Sequence, residues 1–304
     1  MGIMRMGYAH VRVTDMAEAK DHYANTLGLY EVLEEDGRVY YKGWDEWDHH
    51  SVVLEEGGVG LVKFGFKVQY EYDIDDIEKK AEAFGCTVER MSKGDNPEVS
   101  DGIQIHTPSE HLFEVYHSQT LIGTEVGTHN PESFPRHLVG VGVPAIDHAL
   151  ITAEDVKGME RFLTDTFGFY ATERVQTSLD SDADYIGTWM TSGNQIHQLA
   201  VIAGPQGKLH HFAFKLADWN DVGHAAALFS MDDVPIDVGP TRHGITRGQT
   251  VYFFDPSGNR NEVYAGGYTA YPDRPVSIWT PDQLGKGIFY HARELNERFT
   301  SVLT

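Results

Sequence analysis

The feature that most constrains the fold of this chain is an internal repeat. Ala9-His10-Val11 recurs as Asp147-His148-Ala149, and Thr26-Leu27-Gly28-Leu29-Tyr30 as Thr166-Phe167-Gly168-Phe169-Tyr170. Leu61-Val62-Lys63-Phe64-Gly65-Phe66-Lys67 matches Leu209-His210-His211-Phe212-Ala213-Phe214-Lys215. Thr107-Pro108-Ser109, followed by Glu114-Val115-Tyr116, matches Asp255-Pro256-Ser257, followed by Glu262-Val263-Tyr264. Lys63 and Glu114 stand 51 positions apart, as do His211 and Glu262. Two copies of one architecture explain a spacing kept over that length.

Each copy reads as a strand, a helix and further strands. His10 to Val13 is a short strand; Thr14 or Asp15 caps a helix over Met16 to Leu27 that Gly28 stops. The second copy has that helix over Glu154 to Phe167, with Gly168 as its stop. Alternating β-rich segments follow at Arg38 to Lys42, Ser51 to Leu54, Tyr185 to Met190 and His197 to Ile202. Lys63 to Gln69 and His211 to Leu216 are the next strands. Second helices follow over Ile74 to Phe84 and Asp218 to Phe229, and a hairpin ending in Glu-Val-Tyr closes each copy. The expectation is an α+β protein of two tandem domains, each of two βαβββ-like units: residues 1–130, a Pro- and Gly-rich linker at 131–144, residues 145–270, and a C-terminal segment 271–304 that covers the second domain's cavity.

The repeat also shows which half keeps a constellation for metal binding. The second half has His148, His211 and Glu262 at the landmark positions; the first has His10, Lys63 and Glu114. A lysine ammonium has no lone pair to donate, so the first half cannot build the same site, and Lys63 is expected to pair with Glu114. Two histidines and a carboxylate on three strands form the facial triad of non-haem Fe(II) sites, although the ligands alone accept Mn(II) or Zn(II) too. His210 and His211 face opposite sides of one strand. The repeat favours His211 only weakly.

Twenty-four basic against 46 acidic residues give a net charge of −22, which disfavours nucleic acid or an anionic membrane as partner. The single cysteine, Cys86, excludes an internal disulfide. With no signal pattern and no long apolar run, the cytoplasm is the expected compartment.

The stretch Thr241 to Glu262, TRHGITRGQTVYFFDPSGNRNE, carries a family likeness. His243, Val251-Tyr252, Asp255-Pro256, Gly258 and Glu262 stand at the spacing that resembles the signature of extradiol ring-cleavage dioxygenases of the vicinal oxygen chelate superfamily. The likeness runs along essentially the whole chain and is nearest to the catechol 2,3-dioxygenases. It implies paired βαβββ units curled into an open cup around Fe(II), with the second histidine of the His210-His211 pair as ligand beside His148 and Glu262. It further implies that His197 is the acid/base histidine and that His243 and Tyr252 bond the substrate oxygens. The implied reaction takes catechol or a small alkylcatechol and O2 to 2-hydroxymuconate semialdehyde, by a homotetramer. A site for another catechol such as 2,3-dihydroxybiphenyl, or a superfamily member that only binds small molecules, is the alternative. Arg242 and Asn261 flank the polar site residues and are candidates to support them, while Trp189, Ile245, Ile288 and Phe299 are candidates for the apolar pocket wall.

Overall fold

The computed structural model describes residues 2–304, folded around two sheets. The first contains β1 (Ile3–Val13), β2 (Tyr30–Glu35), β3 (Arg38–Lys42), β4 (Val52–Glu56), β5 (Gly60–Val68), β6 (Thr87–Met91), β7 (Gly102–His106) and β8 (Leu112–Tyr116), in the order β2-β3-β4-β1-β5-β8-β7-β6. The second contains β9 (Ile146–Ala153), β10 (Tyr170–Gln176), β11 (Tyr185–Thr191), β12 (Leu199–Ala203), β13 (Leu209–Lys215), β14 (Ile236–Arg242), β15 (Gly248–Phe254), β16 (Arg260–Gly266) and β17 (Ser277–Trp279). Its order is β14-β15-β16-β13-β9-β12-β11-β10-β17.

The orders expose the repeat. Within each sheet the first strand of a unit pairs in parallel with that unit's last strand, as β1 does with β4 and β13 with β16. The two units then join through antiparallel first strands, β1 with β5 and β9 with β13. Four βαβββ units result, and the α+β architecture of the vicinal oxygen chelate fold is present.

The helices lie where the caps and glycines put them. Asp15 accepts the Glu18 amide ahead of α1 (Met16–Lys20), and Asp155 accepts that of Gly158 ahead of α3 (Val156–Phe162), with α2 (Tyr72–Phe84) between them in the chain. Asp218 caps α4 (Trp219–Met231). The first helix does not stay α-helical to Leu27. It widens into a π-helix over Asp21–Thr26, and α3 likewise over Leu163–Phe167. In the first of these wide turns His22 and Tyr23 face the second half, where Tyr23 donates to Asp255 at 3.0 Å and His22 lies 3.3 Å from Asn261.

The halves share one apolar core rather than merely touching. Phe66 meets Phe167 at 5.4 Å between ring centroids, and Tyr23 stacks on Phe212. His111 Nε2 adds a bond to the Lys208 carbonyl at 3.1 Å. Residues 131–144 contain no strand or helix. The C-terminal segment wraps back over the second sheet as β17, α5 (Leu284–Ile288) and α6 (Glu297–Ser301), and Thr304 exchanges both backbone hydrogen bonds with Leu209. Strand β17, parallel to β10, has no counterpart in the sequence reading, because it is three residues long and its Ser-Ile-Trp shows no alternation of its own. Among the described residues no helix is long and apolar enough to cross a membrane.

Candidate active site

Four adjacent strands, β15-β16-β13-β9, turn polar side chains into the second sheet's concavity. Glu262 of β16 sits opposite Tyr252 of β15; His211 comes from β13 and His148 from β9. All four are buried. One ligand atom from each of His148, His211 and Glu262 lies within 4.8 Å of the other two. Both imidazole Nε2 atoms stand 3.0 Å from Glu262 Oε2.

Electrostatics make this cluster costly on its own. Burial opposes a charge on His148, but Glu262 and then Asp147 outweigh it and hold its pKa up at about 9. Burial takes His211 down to about 4, with Glu262 only partly opposing. Burial likewise works against the Glu262 carboxylate, yet His148 beside it keeps the group well below the usual range. His211 Nε2 is fully buried and makes no aligned hydrogen bond to any protein group. Such an orphaned lone pair is rare in folded proteins and needs a partner. Two imidazoles and a carboxylate converging around it fit a divalent transition-metal ion.

Two of the three ligand candidates are braced from behind by a carboxylate or a hydroxyl. Asp147 Oδ2 accepts from His148 Nδ1 at 2.7 Å, and Thr250 donates to Glu262 Oε1 at 2.5 Å. Bonds of this kind fix a ligand's tautomer and orientation. Neither Asp147 nor Thr250 was singled out from sequence. Thr250 was legible in principle, since it shares a strand face with Tyr252.

His210 points the other way. Its Nε2 meets the Phe299 carbonyl at 2.8 Å and its Nδ1 meets His211 Nδ1 at 2.7 Å.

His197, His243 and Tyr252 all line the same cavity. His243 Nε2 lies 2.9 Å from the Tyr252 hydroxyl, while its Nδ1 closely meets the Ile288 carbonyl. The His197 ring lies 4.0 Å from that of His148, and burial followed by His148 pushes its pKa well below the ordinary value. His197 does not open a strand as its alternating context suggests; it sits in the irregular segment two residues ahead of β12, outside the strand's in-and-out alternation.

Trp189, Ile245, Ile288 and Phe299 all line the cavity, joined by Leu150, Thr246 and Tyr264, which the sequence reading missed. Arg242 and Asn261 do not. Arg242 reaches out to the Arg247 carbonyl, and the Asn261 amide faces His22 and Tyr23 of the first half. Strand alternation decides Asn261: with Glu262 turned into the cup, its neighbour must turn out of it.

The first half's equivalent position is filled differently. Lys63 Nζ donates to Glu114 Oε2 at 2.6 Å, and Tyr8 and Asn96 donate to Oε1. His10 turns to Glu55 instead, at 3.1 Å.

Comparison with known proteins agrees with this geometry. Residues 145–263 match the model of the Glyoxalase/Bleomycin resistance protein/Dioxygenase superfamily, and residues 63–120 that of the Catechol 2,3-dioxygenase-like N-terminal domain. The metapyrocatechase of Pseudomonas sp. (strain CF600) is 41% identical over 307 residues, covering 100% of this chain and 99% of that protein. This chain belongs to the metapyrocatechase family of extradiol dioxygenases. Among solved structures, the 2,3-dioxygenase LapB from Pseudomonas sp. KL28 superposes with a TM-score of 0.88 at 38% identity, over 93% of this chain and 99% of that one. A manganese-dependent 2,3-dihydroxybiphenyl 1,2-dioxygenase from Geobacillus genomosp. 3 is 24% identical over 96% of this chain and 95% of its own length. Membership of an extradiol dioxygenase family implies a catalytic metal, and the His148, His211 and Glu262 cluster fits one.

Proposed function

We propose that this extradiol dioxygenase cleaves catechol or a small alkylcatechol beside its hydroxyls, with Fe(II) held by His148, His211 and Glu262. The observation that carries the reading is the enclosure of the three convergent ligand atoms in one apolar cavity with His197, His243 and Tyr252. Bound Fe(II) would supply Lewis acidity to ionise a catechol hydroxyl and a redox link between ring and dioxygen.

The chain's own groups supply the rest. The Tyr252 hydroxyl, 2.9 Å from His243 Nε2, has one proton and can turn it from the imidazole to a phenolic oxygen, with His243 holding the hydroxyl in place until then. His197, which burial and the neighbouring His148 hold neutral, presents an unprotonated ring to the cavity as a proton acceptor for the reacting group. Leu150, Trp189, Ile245, Ile288 and Phe299 exclude water, which strengthens each polar contact inside. Neither Arg242 nor Arg293 lines the cavity, which favours a neutral ring over a carboxylated one.

The likeness to the family carries a homotetramer, which light scattering checks. The single cysteine and the lack of a spanning helix among the described residues support a cytoplasmic enzyme. The deciding experiment adds catechol in air to protein reduced and loaded with iron. A yellow ring-opened product with equimolar oxygen uptake is expected. An inert protein that binds iron at full occupancy overturns the reading, and greater activity with manganese than with iron overturns the metal.

A further inference from the structure

Glu173 on β10 is a buried carboxylate outside the cavity that gathers three donors from three separate segments. Its Oε1 accepts the Thr246 amide at 2.6 Å and the Tyr268 hydroxyl at 2.9 Å; its Oε2 accepts the Trp279 indole N–H at 2.6 Å. Thr246 lines the substrate cavity, as does Ile245 before it. Thr246 and Arg247 both hold left-handed backbone, at φ 63° and 59°, a conformation that residues other than glycine keep only when their surroundings impose it.

Trp279 braces the same wall from the C-terminal segment. The Gly244 and Ile245 amides both donate to the Gly287 carbonyl, at 2.8 and 2.9 Å. A side chain at Gly244 would meet the Trp279 ring at 2.9 Å, and one at Gly287 would meet Ile245 at 3.3 Å. Loop, indole and α5 therefore lie flush because two positions lack a Cβ. On the far side of this layer is an open cleft lined by Arg247, Tyr268, Trp279 and Lys286, among others. One layer thus divides that cleft from the cavity, and its anchor is Glu173.

We propose that Glu173 is a positioning residue that sets the width of the substrate cavity, and with it the exclusion of catechols bearing bulky alkyl or aryl groups. The inference rests on the proposed function, which supplies the ring that the cavity holds. Glutamine at 173 accepts through one oxygen only, so at least one donor is lost and the Ile245–Thr246 wall loosens toward the outer cleft. The ligands on β9, β13 and β16 are untouched. Discrimination worth a methylene or more in an apolar pocket is typically about 10- to 200-fold, so its loss is measurable.

The test uses the full-length, metal-loaded protein with Glu173→Gln and, separately, Trp279→Phe, which keeps the ring and removes one donor. Dissociation constants for catechol, 4-tert-butylcatechol and 2,3-dihydroxybiphenyl are measured without oxygen, then kcat/KM with it. Unchanged metal content, with the ratio of bulky to unsubstituted affinity rising about tenfold in Glu173→Gln and less in Trp279→Phe, is the expected result. A ratio that stays fixed in both variants while affinities fall together would mean a purely structural carboxylate and overturn the inference. Should Glu173→Gln fail to fold, an unmoved ratio in Trp279→Phe overturns it alone. The anaerobic binding ratio does not need turnover, so an inert wild-type protein would sink the proposed function without deciding this question.

Discussion

Lys63 Nζ lies 2.6 Å from Glu114 Oε2, at the position where the other half sets His211 Nε2 3.0 Å from Glu262 Oε2. One half thus neutralises its buried carboxylate with a covalently attached ammonium, and the other leaves that task to a pair of imidazoles and the ion they can hold. Glu114 is fully buried, so the ammonium cannot be removed without leaving an unpaired charge. Burial pushes the Glu114 carboxyl up, but Lys63 overcomes this and keeps it below the ordinary value. Lys63→Met should therefore destabilise the protein by about 3–5 kcal/mol. Adding Glu114→Gln should restore much of that loss. Urea unfolding of the two variants checks it; equal stability of Lys63→Met and wild type would show the pair to be idle.

Two adjacent histidines give a sharp test of the metal cluster. His211→Ala should lose most bound iron, because a three-ligand site cannot spare one. His210→Ala should keep its iron while loosening the segment around Phe299, whose carbonyl it meets. Metal analysis after loading decides, and the reverse pattern would assign the ligand to His210.

His197→Phe should keep iron and anaerobic catechol binding yet turn over about 100- to 10,000-fold more slowly, the usual range for general acid/base catalysis. Rapid mixing of the anaerobic complex with oxygen separates the steps. Wild-type turnover in this variant would remove His197 from the chemistry.

How much of this was legible from the chain alone follows a physical line. His148 and Glu262 were legible because strand order is tied to the repeat, and equal spacing in two copies places equivalent residues on equivalent strands; between His210 and His211 the repeat was a weak guide, and the family likeness chose His211. Lys63 was found by the same comparison, through its missing lone pair. Asp147 escaped because its hydrogen bond to the adjacent His148 is encoded by no spacing, whereas alternation with Tyr252 puts Thr250 on the cavity face but does not show its bond to Glu262. Glu173 escaped for a stronger reason. Its three partners lie 73, 95 and 106 positions away, and the most distant sits on a strand too short to show periodicity. The π-helical widening over Asp21–Thr26 was hidden as well, since its apolar spacing reads as an ordinary helix until Tyr23 and His22 are seen bonded to the other half.

His22 and His111 tie the two halves together as neutral rings, and that makes the junction acid-sensitive. Burial lowers both to about 4, despite the Asn261 bond at His22 and the Lys208 carbonyl at His111. Their unfolded value is near 6.5, so between about pH 6.5 and 4 the unfolded chain binds the extra protons. Stability should be complete above pH 6.5 and fall as the pH drops through that window. Replacing His111 with Gln should lower stability at pH 7 and also flatten this slope. Urea midpoints at pH 7 and pH 5 measure both, and an unchanged slope would clear His111 of the effect.

The last prediction concerns ring charge. The apolar wall of Leu150, Trp189, Ile245, Ile288 and Phe299 offers nothing to a carboxylate, whose unpaired burial is costly. Arg242 bonds the Arg247 carbonyl and Arg293 lies against the Tyr290 ring, and neither these nor any other arginine or lysine among the described residues lines the cavity. The net charge of −22 adds a weaker bias against anions, screened beyond about 8 to 10 Å at physiological salt. Catechol and 3-methylcatechol should therefore exceed homoprotocatechuate in kcat/KM under one set of conditions. Because the bias from burial acts at short range, the preference should persist when the ionic strength is raised. A preference that vanished in salt would trace it to the surface field instead, and a preference for homoprotocatechuate would mean that a cation reaches the ring.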